Sequence, residues 1–184
     1  MGASVSSRLK IVELRRDSDC LPTLQSKYIT ISYYDLVVTR EPESWGVKLC
    51  LKPFEKPLEK SYTGKFFEAH VQEPRVFAVL LNGEQAGWIE LGYDKWNNRM
   101  RAWEFLVEEK FRRKGIGAVL MKHAVEIARQ KEARMLVLET QSCNAPAIKF
   151  YVKQGFDLIG FDLAAYSNED VKRREVRLEF GLPL

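Results

Sequence analysis

The spacing of apolar positions changes period several times along the chain, and most clearly after residue 75. Ile116, Val119, Leu120, Ala124, Ile127 and Ala128 recur at the three- and four-residue intervals of one helix face. Lys122, Glu126, Arg129 and Gln130 occupy the opposite face. Upstream, residues 76–81, 85–93 and 99–108 read as three strands. Asn82-Gly83 and Asn97-Asn98 separate them, and these residue types tolerate the positive φ of tight hairpin turns. Downstream, 134–140 is short and nearly all apolar, as expected of a strand covered on both faces. A second helix is predicted over 145–154, followed by Gly155 where a left-handed C-cap is needed. Strands at 156–164 and 174–180 close the chain. Meander, helix, strand, helix, strand, strand predicts an α/β fold: a mixed sheet with helices on both faces.

The first 74 residues are less regular. Leu9–Leu14 reads as a short strand, and residues 28–39 are rich in β-branched and aromatic side chains, as strands are. Pro42, Pro53 and Pro57 interrupt the residues beyond that strand, and the pattern over 58–71 predicts a helix. His70 would end that helix, where a cation suits the dipole. No internal repeat or low-complexity linker divides the 184 residues, which fit one domain spanning 1–184 with a sizeable core. Its best-defined part is 75–180.

Hydrophobic residues make up 46% of the chain, which excludes a disordered class. No apolar run approaches the roughly 20 residues of a spanning helix. A net charge of +4 suits a polyanionic small ligand without demanding nucleic acid. Cys20, Cys50 and Cys143 are few and widely spaced, with neither a disulfide framework nor metal-ligand spacing, so a reducing cytoplasm and no metal are expected. Met1-Gly2-Ala3-Ser4-Val5-Ser6 matches the permissive myristoylation pattern, although an ordinary flexible start and no membrane attachment are expected.

Two clusters carry chemistry. Arg112-Arg113-Lys114-Gly115-Ile116-Gly117 joins a strand to a helix start. Glycine lets backbone approach a ligand closely, and the first helical N–H groups lack partners within the helix. The dipole and three cations then favour an anion such as phosphate. The run is neither a P-loop nor the dinucleotide-binding Gly-x-Gly-x-x-Gly. The second cluster surrounds the next strand end: Asn144 is placed to cap the second helix, and Tyr151 lies about two helical turns further on the same face.

The spacing Arg-x-x-Gly-x-Gly resembles motif A of the GCN5-related N-acetyltransferases, and the second cluster resembles their motif B. Glu139-Thr140-Gln141, Asn144, Pro146-Ala147, Phe150-Tyr151, Gly155-Phe156, Gly160 and Asp162 together are similar to the streptothricin branch of that family. Gly87, Ile89-Glu90-Leu91, Trp96-Asn97 and a late Glu175 add to the likeness, and Tyr34-Asp35-Leu36 adds weakly. The resemblance implies a mostly antiparallel sheet of six to seven strands. It also implies acetyl-CoA as cosubstrate, a primary amine on a cationic small molecule as acceptor, and a homodimer formed through the final strand in some members. Backbone at Leu106 and Val107 would pair with the pantetheine arm and offer an oxyanion hole. Arg112, Arg113, Lys114, Gly115, Ile116, Gly117 and Ala118 would surround the pyrophosphate. Asn144 would bond the pantetheine portion, and Tyr151 would protonate the departing thiolate.

An amine acceptor must first lose a proton. With a pKa near 10.4, about one lysine-type amine in two thousand is neutral at pH 7. Related enzymes carry Glu where this chain has Trp103, and here the carboxylate arrives one residue later as Glu104. Adjacent strand residues face opposite sides, so Glu104 turns away unless a bulge restores it. Glu90 on the neighbouring strand is the other base candidate, while Glu108 and Glu109 fit a solvated mouth. Glu90, Asp162 and Glu175 could attract a cationic acceptor. Two alternatives stay open: an acceptor on a protein or peptide, and a non-catalytic acyl-CoA sensor, which the displaced carboxylate would suit. His123 reads as a packing histidine, Cys143 as a small loop residue, and Lys172-Arg173-Arg174 as a solvated turn. The four tryptophans read as core or pocket wall, with Trp96 and Trp103 the two that would touch substrate.

Overall fold

The computed structural model describes residues 9–17 and 21–184. The pattern at residues 1–6 and Cys20 lie outside the described residues. Nine strands and three α-helices are present among those described: β1 (Leu9–Leu14), β2 (Leu24–Glu41), β3 (Ser44–Gly64), β4 (Arg75–Leu81), β5 (Glu84–Asp94), β6 (Arg99–Val107), α1 (Ile116–Gln130), β7 (Met135–Gln141), α2 (Ala145–Lys153), β8 (Asp157–Asp162), α3 (Asp170–Arg173) and β9 (Arg177–Pro183). A seven-stranded sheet has the order β1-β4-β5-β6-β7-β9-β8, and β2 and β3 form a separate two-stranded ribbon. No helix among the described residues is long and apolar enough to cross a membrane.

The chain divides into two compact units. One holds the described part of Met1–Ser26 with Tyr62–Leu136 and Pro183–Leu184; the other holds Lys27–Ser61 and Val137–Leu182. In the first unit, β1, β4, β5 and β6 pair antiparallel in sequence. Asn82 (φ 54°) and Gly83 (φ 88°) make the β4–β5 turn in the conformation their sequence predicts. Leu14, Leu24, Val76, Ala78, Trp88 and Leu106 form a buried cluster within the unit. α1 buries Ile116, Leu120, Met121, Ala124, Ile127 and Ala128. Val119 is only half-buried, and Met121 takes a core position the periodicity did not assign. A fully buried Ile or Leu contributes about 1.5–3 kcal/mol, so this face holds the start of α1 firmly beside the end of β6.

In the second unit, the ribbon is an antiparallel hairpin. Thr39 bonds Gly46, Asp35 meets Lys52, Tyr33 packs on Phe54 and Lys27 meets Glu59, so numbers fall on one strand as they rise on the other. The helix expected over 58–71 is therefore absent. β3 runs on to Gly64, and Phe67 has φ 60°, which an α-helix does not accommodate. Pro53 and Pro57 are tolerated because each strand of a two-stranded ribbon keeps one unpaired edge. His70 accordingly caps no helix: its Nδ1 lies 3.4 Å from a Glu68 oxygen and its ring meets Trp103 edge-on. β9 lies between β7 and β8, so among the described residues the sheet ends on β8.

Candidate active site

The basic turn lies wholly in the first unit. β6 ends at Val107, a short 3-10 turn spans Glu109–Phe111, and α1 starts at Ile116. Gly115 is its N-cap, with φ 83° and ψ −6°, and no side chain caps the helix. Its first turn carries no acidic residue. An added Cβ at Gly115 would meet nothing within 4 Å, so the backbone faces open space there. Arg113 also has positive φ, at 61°, which bends the turn ahead of the helix. Arg113, Lys114 and Gly115 are exposed, whereas Arg112 is half-buried and donates from Nε to the Val107 carbonyl at 3.1 Å. Arg112 therefore ties the turn to the strand end. Uncapped amides, an open approach and neighbouring cations fit a phosphate or diphosphate.

The carboxylates lie on the meander of the same unit. Glu90 of β5 is opposite Glu104 of β6, but the next pair is Leu91 with Ala102. Trp103 is thus the extra residue of a β-bulge, and the bulge returns Glu104 to register with Glu90. Glu90 is 1% exposed and its Oε1 accepts from the Phe67 amide at 2.6 Å. Burial raises its pKa above the usual carboxylate range, opposed by that hydrogen bond. Glu104 is half-buried, and its Oε1 accepts from the Tyr62 hydroxyl at 2.6 Å. Loss of hydration pushes its carboxyl up to about 7; the Tyr62 bond opposes this, while the charges of Glu90 and Glu68 add to it. A carboxylate poised near neutrality, reachable by hydrogen bond, has the properties of a general base.

Asn144 and Tyr151 lie in the second unit. Asn144 caps α2, its Oδ1 accepting from the Ala147 amide at 3.3 Å. Tyr151 is buried against the rings of Phe150, Phe156 and Phe180, and burial raises its pKa well above that of a free phenol. It is therefore a protonated phenol at neutral pH. Two of the acidic residues singled out for a cationic acceptor have partners: Glu175 pairs with Lys60, and Asp162 accepts from the Ala164 amide at 2.9 Å. Leu106 is buried and Val107 half-buried at the end of β6.

Several other residues fall differently. Trp88 is core, but Trp45 is exposed and Trp96 is 85% exposed in the turn after β5. His123 packs edge-on against Phe77, as a structural histidine does. Cys143 is buried with Tyr28 at 3.5 Å, and burial raises its thiol pKa, which disfavours a nucleophilic thiolate. Arg174 is not simply solvated; it bonds Asp35 at 3.1 Å. Sequence reasoning missed Tyr62 and the Glu68 charge. Both fell in the supposed 58–71 helix, and the available signal was the proline pair at 53 and 57, which fits a ribbon.

The chain matches the acetyltransferase (GNAT) family over residues 38–156. Streptothricin acetyltransferase of Streptomyces lavendulae is 33% identical over 158 residues, which are 82% of each chain. Streptothricin acetyltransferase A of Bacillus subtilis (strain 168) is 31% identical over 118 residues, 62% of this chain and 68% of that protein. Among solved structures, nourseothricin acetyltransferase has a TM-score of 0.74 at 28% identity, covering 95% of this chain and 98% of its own. A Bacillus anthracis str. Ames protein described as a candidate streptothricin acetyltransferase, in complex with acetyl coenzyme A, has a TM-score of 0.77 at 26% identity, covering 96% and 98%. With the family match spanning more than half of the chain and the Streptomyces lavendulae likeness spanning 82% of it, the chain belongs to the acetyltransferase (GNAT) family.

Proposed function

We propose that this protein transfers acetyl from acetyl-CoA to a primary amine of a cationic small molecule, and that the acceptor is a streptothricin-type antibiotic acetylated on its β-lysine moiety. The observation that carries the chemistry is the bulge at Trp103, which sets Glu104 opposite Glu90 with its carboxyl near neutral pKa. The relatives' substrates supply the acceptor class. The Arg112 to Ala118 turn holds the pyrophosphate, mostly through amides at the start of α1. Glu104 takes a proton from the acceptor ammonium group, and the neutral nitrogen attacks the thioester carbonyl. A backbone N–H near Leu106 and Val107 stabilises the oxyanion, a contribution of about 3 kcal/mol in comparable sites. The carbon–sulfur bond then breaks as Tyr151 gives its proton to the leaving thiolate, and the second proton shed by the attacking nitrogen restores the phenol. Asn144 bonds the pantetheine arm, and Glu90 reinforces the negative field that attracts the acceptor. The bulge favours catalysis over a non-catalytic sensor, because it puts a carboxylate opposite Glu90.

A thiol-release assay with acetyl-CoA and streptothricin tests this reading. Turnover is expected, and Glu104→Gln should lower kcat/KM by about 10²- to 10⁴-fold. The base is the ionised form, so kcat/KM should rise as pH rises through about 7. Activity on peptides or other amines with none on streptothricin would reassign the acceptor; tight acetyl-CoA binding without thiol release for any amine would replace the enzyme with a sensor.

A further inference from the structure

Tyr62 lies outside the motifs that carry the family resemblance, yet its hydroxyl donates to the proposed base at 2.6 Å. The last residues of β3 pass directly over Glu104. At Gly64 an added Cβ would lie 2.7 Å from the Tyr62 hydroxyl and 2.9 Å from Glu104 Oε1, closer than real Cβ atoms come. A side chain at Gly64 would have to displace the Tyr62 ring or the Glu104 carboxylate, so glycine leaves the two free to meet. The charges of two further carboxylates act on Glu104. Glu90 lies directly opposite on β5, and Glu68 in the loop after β3 adds a further negative charge. Like charges placed directly across a strand pair destabilise one another. The charged groups acting on Glu90 are His70 and Arg16, which lower its pKa, and Glu68, which raises it. Within this arrangement the Tyr62 hydroxyl is the donor that meets Glu104 itself, at 2.6 Å.

Resting on the acetyl-transfer reading above, we propose that Tyr62 is a positioning residue: its hydroxyl clamps Oε1 of Glu104 and leaves the second carboxylate oxygen to receive the acceptor's proton. A hydrogen bond donated to the ionised form favours that form, so Tyr62 holds the carboxyl lower than burial and the neighbouring carboxylates alone would leave it. Removing the hydroxyl should raise the midpoint, and a more acidic phenol should lower it.

The test begins on the free enzyme and needs no turnover. Glutamate carboxyl carbons labelled with carbon-13 are titrated by NMR, and the Glu104 signal is assigned by its loss in Glu104→Gln. Tyr62→Phe should move the Glu104 midpoint upward by about one pH unit, and 3-fluorotyrosine at position 62 should move it downward. In the kcat/KM profile with streptothricin the acid limb should shift the same way in each variant, with activity of Tyr62→Phe recovering at higher pH. A purely structural tyrosine would leave the midpoint unchanged or move it in one direction for both replacements, and either result overturns the proposal. Opposite shifts of Glu104 in an enzyme that releases no thiol with any amine would support the clamp while rejecting acetyl transfer.

Discussion

The β4–β5–β6 meander and the β2–β3 ribbon are built from the same residue types and stabilised by different means. Along β5, the run from Ala86 to Gly92 is buried without interruption. The ribbon buries few residues, and two of those are Thr30 and Asp35. Its cross-connections are polar: Lys27 with Glu59 and Lys52 with Asp35, each at 2.5 Å, with Arg174 meeting Asp35 from outside the ribbon. Meanwhile Ile29 and Ile31 face solvent. Apolar burial thus organises one region, while the side chains of the other meet through charge pairs whose lysines are largely open to solvent. The proposed base lies on the meander, and the last residues of β3 supply the hydroxyl that meets it.

The sharpest way to break this contrast is to delete the same apolar group in each region. Ile89 is fully buried, and Ile89→Ala should cost about 2–5 kcal/mol through lost transfer energy and a residual cavity. Ile31 is 69% exposed, and Ile31→Ala should stay within about 0.5 kcal/mol. Urea unfolding of both variants at pH 7 measures the difference. Similar losses would mean that the ribbon's apolar face is covered after all.

The same contrast explains what could be read from residues alone. Asn82-Gly83, the face of α1 and the Gly155 cap were legible because local backbone chemistry and helical period decide them. The bounds of β4, β5 and β6 followed from the turns at Asn82-Gly83 and Asn97-Asn98 that separate them, and those of β7 from its short apolar run. β3 was not legible: its apolar residues have no buried face to follow, and its prolines read as breaks when they mark ribbon edges. The site divided in the same way. The uncapped turn at Gly115 and the Asn144 cap follow from helix-end chemistry. The register of Glu104 depends on a bulge, which is a disagreement between two strands and cannot be seen in either one. Tyr62 reaches Glu104 across 42 positions of sequence, a separation no local period reports.

A polar deletion should reverse the ranking. Lys60 and Glu175, both in the second unit, form a pair that is mostly shielded from water. Lys60→Met keeps the aliphatic stem and removes the charge, leaving the Glu175 carboxylate without its cation. A loss of about 1 kcal/mol is expected, between the values for exposed and buried pairs. It should exceed that of Ile31→Ala in the same urea experiment. Recovery by the double variant Lys60→Met, Glu175→Gln would identify the stranded charge as the cause; an unchanged loss would assign it to packing instead.

The smallest effect is expected where a polar pair sits on the apolar region. Glu13 of β1 and Arg75 of β4 bond through Nε at 2.8 Å and Nη2 at 2.9 Å. The Arg75 hydrogen bond holds the Glu13 carboxyl below the usual carboxylate range, against the opposing effect of burial. Both side chains are more than a third exposed, so solvent screens most of that interaction. Glu13→Gln should therefore cost about 0.5 kcal/mol or less at pH 7. The sign of its pH dependence follows from the depressed pKa. The contribution is complete above the unfolded carboxylate's value, about 4.3, and disappears as pH falls through the lower folded value. Wild type and variant should thus converge in acid and separate slightly near neutrality, with the gap narrowing in 1 M salt. A gap at pH 7 as large as that of Lys60→Met would mean that charge pairing holds the meander edge.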